Sequence, residues 1–331
     1  MKKIIVVALV FAMATGAAFA RGQSDSPASV DQFPSRPVVG TVAWPAGTAA
    51  DMVFRALAEV FPKYANNQPF VIDNKPDAAG GVAGVVDFMR NASPDGYSVL
   101  QWMIAHVIKS HWDDVPFAGN SFEPVCQVVS SYNYVSVAAD SRWRTLQDLV
   151  NEARANPNQI SMGNAGQGGG NHMAAVMLEH AAGVQFRHTP FQGGNLSITG
   201  LMTGDCQASM NIAPEGITNA QAGQIRILAT LSPNRFADFP NVPTAREAGV
   251  NTVFEQWRGV VVPRGTPPAI VQRLQDIFKQ CVEDPVYIER MKSMNATAVY
   301  TDIRTFNQHI ESENKRIEDV IRSAKIGNRY K

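Results

Sequence analysis

The sequence predicts an α/β protein folded as two lobes, and three observations carry that prediction. Short runs rich in β-branched residues alternate with segments of helical hydrophobic period, the pattern of mainly parallel sheets covered by helices. Roughly 310 residues follow an N-terminal export signal, more than one hydrophobic core holds comfortably. Two well-separated segments also share one design, a strand followed by a small-residue loop and a helix start.

The N-terminus sets the compartment. Lys2 and Lys3 precede an uncharged apolar run from Ile4 to Ala20, which ends in Ala18-Phe19-Ala20. This is a cleavable signal peptide, residues 1–20, too short and wrongly flanked to span a membrane. No cysteine follows it to take a lipid anchor. Residues 21–32 form a loose leader, poor in apolar side chains. The mature chain is expected in the periplasm, with no membrane insertion of its own.

The elements follow in order. Val38 to Val42 reads as a strand and Ala49 to Phe61 as a helix, with Val53, Leu57 and Val60 on one face and Pro62 at its end. Val71 to Asp73 is a second strand. A Pro- and Gly-containing loop covers Asn74 to Gly84, and a turn at Pro94-Asp95-Gly96 leads into a strand from Tyr97 to Leu100. Val135 to Val137 is a strand. Thr145 caps a helix from Leu146, with Asp148 completing a capping box and Leu149, Val150 and Ala153 inward. A helix carrying Met173, Met177 and Ala181 stops at Gly183. Arg226 to Thr230 is a strand. Thr266 and Pro267 occupy the N-cap and first helical positions before Ile270, Leu274, Ile277 and Cys281. The last helix places Phe306, Ile310, Ile317 and Ile321 on one face.

Charge and cysteine content exclude several classes. The 29 basic and 29 acidic residues become 27 against 29 once the signal is removed. That near-neutral balance offers nothing to nucleic acid or an anionic membrane. Export permits one disulfide among Cys126, Cys206 and Cys281, but their odd number and wide spacing favour buried apolar side chains, with no metal-site spacing among them. No Gly-x-Ser-x-Gly elbow, HExxH or Cys-centred signature arranges a catalytic set, so no catalytic residue, metal or cofactor is assigned.

The two loops carry the chemistry. The first is Ala43-Trp44-Pro45-Ala46-Gly47-Thr48-Ala49-Ala50-Asp51, the second Asn164-Ala165-Gly166-Gln167-Gly168-Gly169-Gly170-Asn171-His172. Small side chains let a ligand approach the backbone, and a helix start presents unpaired N–H donors with a partial positive charge. A carboxylate can bind there without Arg or Lys. Trp44 forms either an apolar wall or interlobe packing. Asp51 either orients its loop or meets a ligand donor, and His172 either bonds within its loop or contacts ligand. Phe191 lines the cleft or packs locally, while Asn211 and Ala213 close the floor.

Further motifs surround these loops. They include Pro34-Ser35-Arg36-Pro37, Asn74-Lys75-Pro76, Pro94-Asp95-Gly96-Tyr97 and His188-Thr189-Pro190-Phe191-Gln192-Gly193. Ala222-Gly223-Gln224-Ile225-Arg226, Pro240-Asn241-Val242-Pro243-Thr244 and Trp257-Arg258-Gly259 follow, ending at Pro263-Arg264-Gly265. Through Gly265 the chain resembles the Bug/TctC-type receptors, the extracytoplasmic solute-binding proteins of tripartite tricarboxylate transporters. The resemblance implies a Venus-flytrap fold with crossing hinge strands. Residues 33–127 and 230–331 would form lobe 1 and residues 128–229 lobe 2. It further implies a monomer that holds a small carboxylate (dicarboxylate, tricarboxylate or amino acid) on the backbone donors of both loops, for delivery to transporter membrane subunits. Thr48 and Gly169 depart from that pattern, in which a second Gly and a Ser or Thr are usual. The rival readings are a ligand sensor for a signalling partner and an exported hydrolase.

Overall fold

The computed structural model describes residues 30–77 and 81–330; the signal peptide and residues 21–29 of the leader lie outside the described residues. The first sheet gathers β1 (Val38–Val42), β2 (Phe70–Asn74), β3 (Ser98–Met103) and β4 (Glu123–Ser130). Two late strands, β10 (Arg258–Val262) and β11 (Thr297–Thr301), complete it in the order β11-β4-β10-β3-β1-β2. The second sheet holds β5 (Asn133–Ala138), β6 (Ser161–Asn164), β7 (Arg187–Pro190), β8 (Ala208–Ile212) and β9 (Ile225–Thr230), ordered β7-β6-β8-β5-β9. Within the first sheet β1 is parallel to β2 and β3, and β10 runs antiparallel to β3 and β4. Within the second, β6 is parallel to β7 and β8, and β5 is antiparallel to β8 and β9.

The chain passes between the sheets twice, once through Ser131 and Tyr132 and once between β9 and β10. The two crossings are hydrogen-bonded side by side. Tyr132 bridges Glu255, and the Gln256 N–H donates to Ser131 O at 2.7 Å. β4 runs through the expected lobe boundary at residue 127 and ends at Ser130.

Ten helices occur among the described residues: α1 (Ala49–Val60), α2 (Val82–Asn91), α3 (Ile104–Trp112), α4 (Leu146–Ala155) and α5 (Gly170–Ala182), then α6 (Gly194–Thr203), α7 (Ile217–Gln221), α8 (Pro268–Glu283), α9 (Pro285–Ser293) and α10 (Ile303–Ala324). The stripes expected on α1 and α10 are buried, and the Thr145–Asp148 capping box closes α4 as its sequence demands. At α8 the expectation shifts by one residue. Pro267 is the N-cap and Pro268 the first helical residue, because the Thr266 hydroxyl donates to Pro263 O at 2.8 Å and closes the preceding turn instead. α2 opens inside the stretch expected as loop, and Pro62 sits in a 3₁₀ turn that extends α1. On α5, Met173 and Met177 are buried while Ala181 is exposed.

Two large apolar cores result among the described residues, beside two small clusters. One packs β1, β3, β4 and β10 against α1, α8 and α9; Phe54, Phe61, Phe70 and Phe278 meet there with centroids 5.1–5.6 Å apart. The other runs without interruption from α3 and α10 on the first sheet to α4 and α5 on the second, which couples the lobes through shared burial. Cys126, Cys206 and Cys281 are all free thiols in buried positions.

Candidate functional site

Loop 1 leaves the C-terminal end of β1 and enters α1. Its conformation is held by Asp51, which is 1% exposed. One carboxylate oxygen accepts the Gly47 N–H at 2.8 Å and Arg55 Nε at 2.7 Å; the other accepts Asn74 Nδ2 at 2.9 Å. Burial alone would raise the Asp51 pKa, but the Arg55, Gly47 and Asn74 bonds together hold it below the usual value. Gly47 has φ +82°, a left-handed conformation that suits glycine. Thr48 caps α1, accepting the Asp51 N–H at 3.4 Å and donating to Pro45 O at 2.8 Å. Pro45, Ala46, Gly47 and Ala49 remain exposed.

Loop 2 leaves β6 and enters α5 in the same way. The Gly166 N–H donates to Asn164 Oδ1 at 3.0 Å, and the Gly169 N–H to Gly166 O at 3.3 Å. The Gly168 N–H donates to His172 Nδ1 at 3.3 Å. His172 therefore bonds within its loop, and burial with His188 beside it pushes its pKa down to about 3. The three N–H groups at Gly166, Gly168 and Gly169 are spent internally. What remains at this helix start is Gly170, Asn171 and His172, whose N–H groups have no intrahelical acceptor.

A single helix gathers both loops. His106 on α3 lies 4.9 Å from the Trp44 ring of loop 1, and Trp112 on the same helix lies 5.3 Å from His172 of loop 2. Six residues at 1.5 Å each separate those contacts by about 9 Å along the helix axis. Trp44 is half-buried against His106, which stacks on Trp102 at 4.6 Å. His106 Nδ1 accepts the Met103 N–H, which leaves its buried Nε2 without a partner, and burial lowers its pKa to about 3. The amide nitrogen of Asn164 is likewise buried and without a partner.

The other expected site residues settle differently. Phe191 packs between β6 and α6; a Cβ on Gly200 would stand 2.4 Å from its ring, so it serves local packing. Asn211 is buried, donating to Gly194 O at 3.1 Å and Ser197 Oγ at 2.9 Å. Ala213 lines a cavity of about 480 Å³ beside the crossings, together with Tyr132, Ile217 and Phe239.

Sequence reasoning misses a polar cluster between the loops and the crossings. Asn171 Nδ2 donates to Glu215 Oε2 at 2.8 Å, while Asn171 Oδ1 accepts from Asn133 at 3.1 Å and Gln256 at 2.9 Å. The Ile212 N–H at 3.2 Å and Asn211 Nδ2 at 3.5 Å also donate to Glu215 Oε2. Burial nevertheless raises the Glu215 pKa above the usual value. Arg258, at the start of β10, is the nearby opposite charge. The available signal for Glu215's neighbourhood was Gly193-Gly194, a third strand–glycine–helix turn. No cluster of metal-ligating side chains and no helix able to cross a membrane occurs among the described residues.

Two sheets joined by paired crossings, with a glycine-rich loop and helix start in each lobe, give the two-lobed architecture of solute-binding proteins. The comparisons give the family. Residues 53–326 match the TctC model, the tripartite tricarboxylate transporter family receptor, and the chain belongs to that family. It is 32% identical over 306 residues to the UPF0065 protein in the gbd 5'region of Cupriavidus necator, covering 89% of each chain. To Protein BugT of Bordetella pertussis it is 26% identical, covering 90% of this chain and 92% of that one. Among solved structures, a TctC solute-binding protein from Polaromonas superposes with TM-score 0.78 at 27% identity, covering 88% of this chain and 99% of that one. The periplasmic binding protein BugD superposes with TM-score 0.73 at 26% identity, covering 89% and 99%.

Proposed function

We propose that this receptor is periplasmic, captures a small carboxylate between residues 33–130 with 258–331 on one side and the β5–β9 lobe on the other, and delivers it to the membrane subunits of a tripartite tricarboxylate-type transporter. The observation that carries the reading is the position of α3, which holds loop 1 at one contact and loop 2 at the other. That pair of contacts supports a shared site in which each helix start offers N–H donors and positive potential to an anion. Ala49 and Ala50 supply the donors of loop 1, and Gly170 and Asn171 those of loop 2. Two solved structures with the same fold, at 22% and 24% identity, hold malate and adipate respectively, and support this ligand class.

Closure of the lobes around the ligand excludes water, and the donor–carboxylate bonds gain strength in the lower dielectric. Charge-assisted bonds at about 1.5–3 kcal/mol each reach micromolar affinity, about −8 kcal/mol, with a handful of donors. The test is native mass spectrometry of the mature protein followed by thermal shift against a panel of mono-, di- and tricarboxylates and amino acids. A ligand at 100 times its Kd should add about 2.7 kcal/mol of stability. A protein that purifies empty and shows no shift across the panel would refute the reading.

A further inference from the structure

We propose that Gln256, on the second crossing, is a positioning residue for loop 2: it holds the start of α5 in place and ties that start to the crossing strands. The inference goes beyond the capture reading above and rests on it only for the role of the helix-start donors.

The second crossing reaches the two lobes through neighbouring residues. Glu255 pairs with Tyr132 as in an antiparallel ladder, where successive side chains take opposite sides. Glu255 is held by the first lobe. Its Oε1 accepts Gln127 Nε2 at 2.7 Å and the Ser130 hydroxyl, both from β4, and His309 Nε2 of α10 stands 3.6 Å from its Oε2. Trp257, next on that side, is buried against Phe306 of α10 with ring centroids 5.5 Å apart. Gln256 is held by the second lobe. Its Nε2 donates to Asn133 Oδ1 of β5 at 3.0 Å and to Asn171 Oδ1 of α5 at 2.9 Å. Asn133 Nδ2 closes the group, reaching Asn171 Oδ1 at 3.1 Å and Asn211 O at 3.0 Å.

Gln256 touches the first two residues of α5, whose N–H groups loop 2 leaves free. Besides its bond to Asn171, its carboxamide lies against Gly170, where a Cβ would fall 2.5 Å from Oε1 and 2.7 Å from Cδ. Gly170 does not use the left-handed region, so this contact, and not the backbone, calls for a glycine there. A larger side chain at that position would push the carboxamide off the helix start.

The opposed clamps place the flexible point between Glu255 and Gln256. When the lobes turn against each other, Glu255 stays with β4 and α10 while Gln256 travels with β5 and α5. The first crossing has its own link at the same level, since the Gln256 N–H donates to Ser131 O at 2.7 Å. The cavity of about 480 Å³ lies beside this point, bordered by Ser131 and Tyr132, by Ala296 before β11 and by Phe239 after β9. It gives the crossings room to bend.

The test is amide hydrogen exchange on the full mature chain without added ligand. The variants are Gln256→Met, which keeps bulk and removes both donors, and Asn171→Ala, which severs the same bond from the other side should Gln256→Met not fold. The Met173 N–H, bonded to Gly169 O at 2.9 Å, reports on the first turn of α5, and the Met52 N–H, bonded to Thr48 O at 2.9 Å, is its counterpart on α1. Protection at Met173 should fall about tenfold, the weight of one hydrogen bond, with Met52 unchanged. Calorimetry with succinate, adipate, citrate and glutamate should show about tenfold weaker binding of whichever of them the unaltered chain takes. Combining Gln256→Met with Asn171→Ala should weaken it no further, because the two residues act as one. Unchanged protection at Met173, equal losses at Met173 and Met52, or additive losses in the double variant would each overturn the positioning role. If the unaltered chain takes none of the four acids, the carboxylate reading falls, and exchange at Met173 alone decides the role of Gln256.

Discussion

Trp112 and His172 meet edge to face, with ring centroids 5.3 Å apart, and thereby pin α3 of the first sheet to the loop that opens α5 of the second. The same indole covers Gly168, whose φ is +72° and where a Cβ would approach the ring to 3.0 Å. Trp112 is 4% exposed. Trp112→Ala should therefore lower unfolding free energy by about 3–5 kcal/mol and also loosen loop 2. Urea unfolding reads the first effect. Weaker carboxylate binding in the still-folded fraction reads the second.

His106 and His172 give the protein a defined acid sensitivity. Both have folded-state pKa values near 3, against about 6.5 for an unfolded histidine. The unfolded chain then binds more protons than the folded one at every pH between those values. Stability from the two neutral imidazoles is complete above about pH 6.5 and is lost as pH falls toward 3, by at most about 1.4 kcal/mol per pH unit for each. Thermal denaturation between pH 7 and 5 should show the loss, and His106→Gln should reduce its slope by about half.

Asp51 works in the same direction over a lower range. Its carboxylate is stabilised by Arg55, Gly47 and Asn74, so its contribution is present above the ordinary aspartate range and lost as pH falls through the lowered folded-state value. Asp51→Asn removes the charge but keeps an acceptor, and should cost about 1–2 kcal/mol at pH 7. The penalty should shrink as pH falls through the lowered folded-state value, where the native side chain is itself protonated. A penalty independent of pH would show that packing, not charge, holds loop 1.

Ala49 tests the donor model with little risk to the fold. It is the first residue of α1, and Thr48 before it is already extended at φ −76°, ψ 161°. Proline is tolerated at that helical position and after such a residue. Ala49→Pro deletes one N–H and little else, so the melting temperature should hold while carboxylate affinity falls about tenfold. Unchanged affinity would remove Ala49 from the site.

Much of the framework was legible because its determinants are local. The Thr145–Asp148 box closes with bonds of 2.9–3.1 Å between residues three apart, and Gly183 ends α5 at φ +63°. The loops were equally visible as glycine-rich helix starts. Their free donors were not, because Asp51 and His172 turn back to occupy Gly47 and Gly168. Several N–H groups that composition offers to a ligand are already committed.

By itself the sequence determined the α/β class and the position of both loops, since hydrophobic period, capping and turn chemistry act over a few residues, and its motifs carried the resemblance to the family. Only the tertiary structure decided that Asn133, Asn171, Glu215 and Gln256 would share one hydrogen-bond network and that Arg258 would stand near it without a partner. Those residues are spread over more than a hundred positions and carry no common period. They meet because the strand order and the paired crossings bring β5, β8 and β10 to one end of the cleft, and that order is set by the packing of whole sheets.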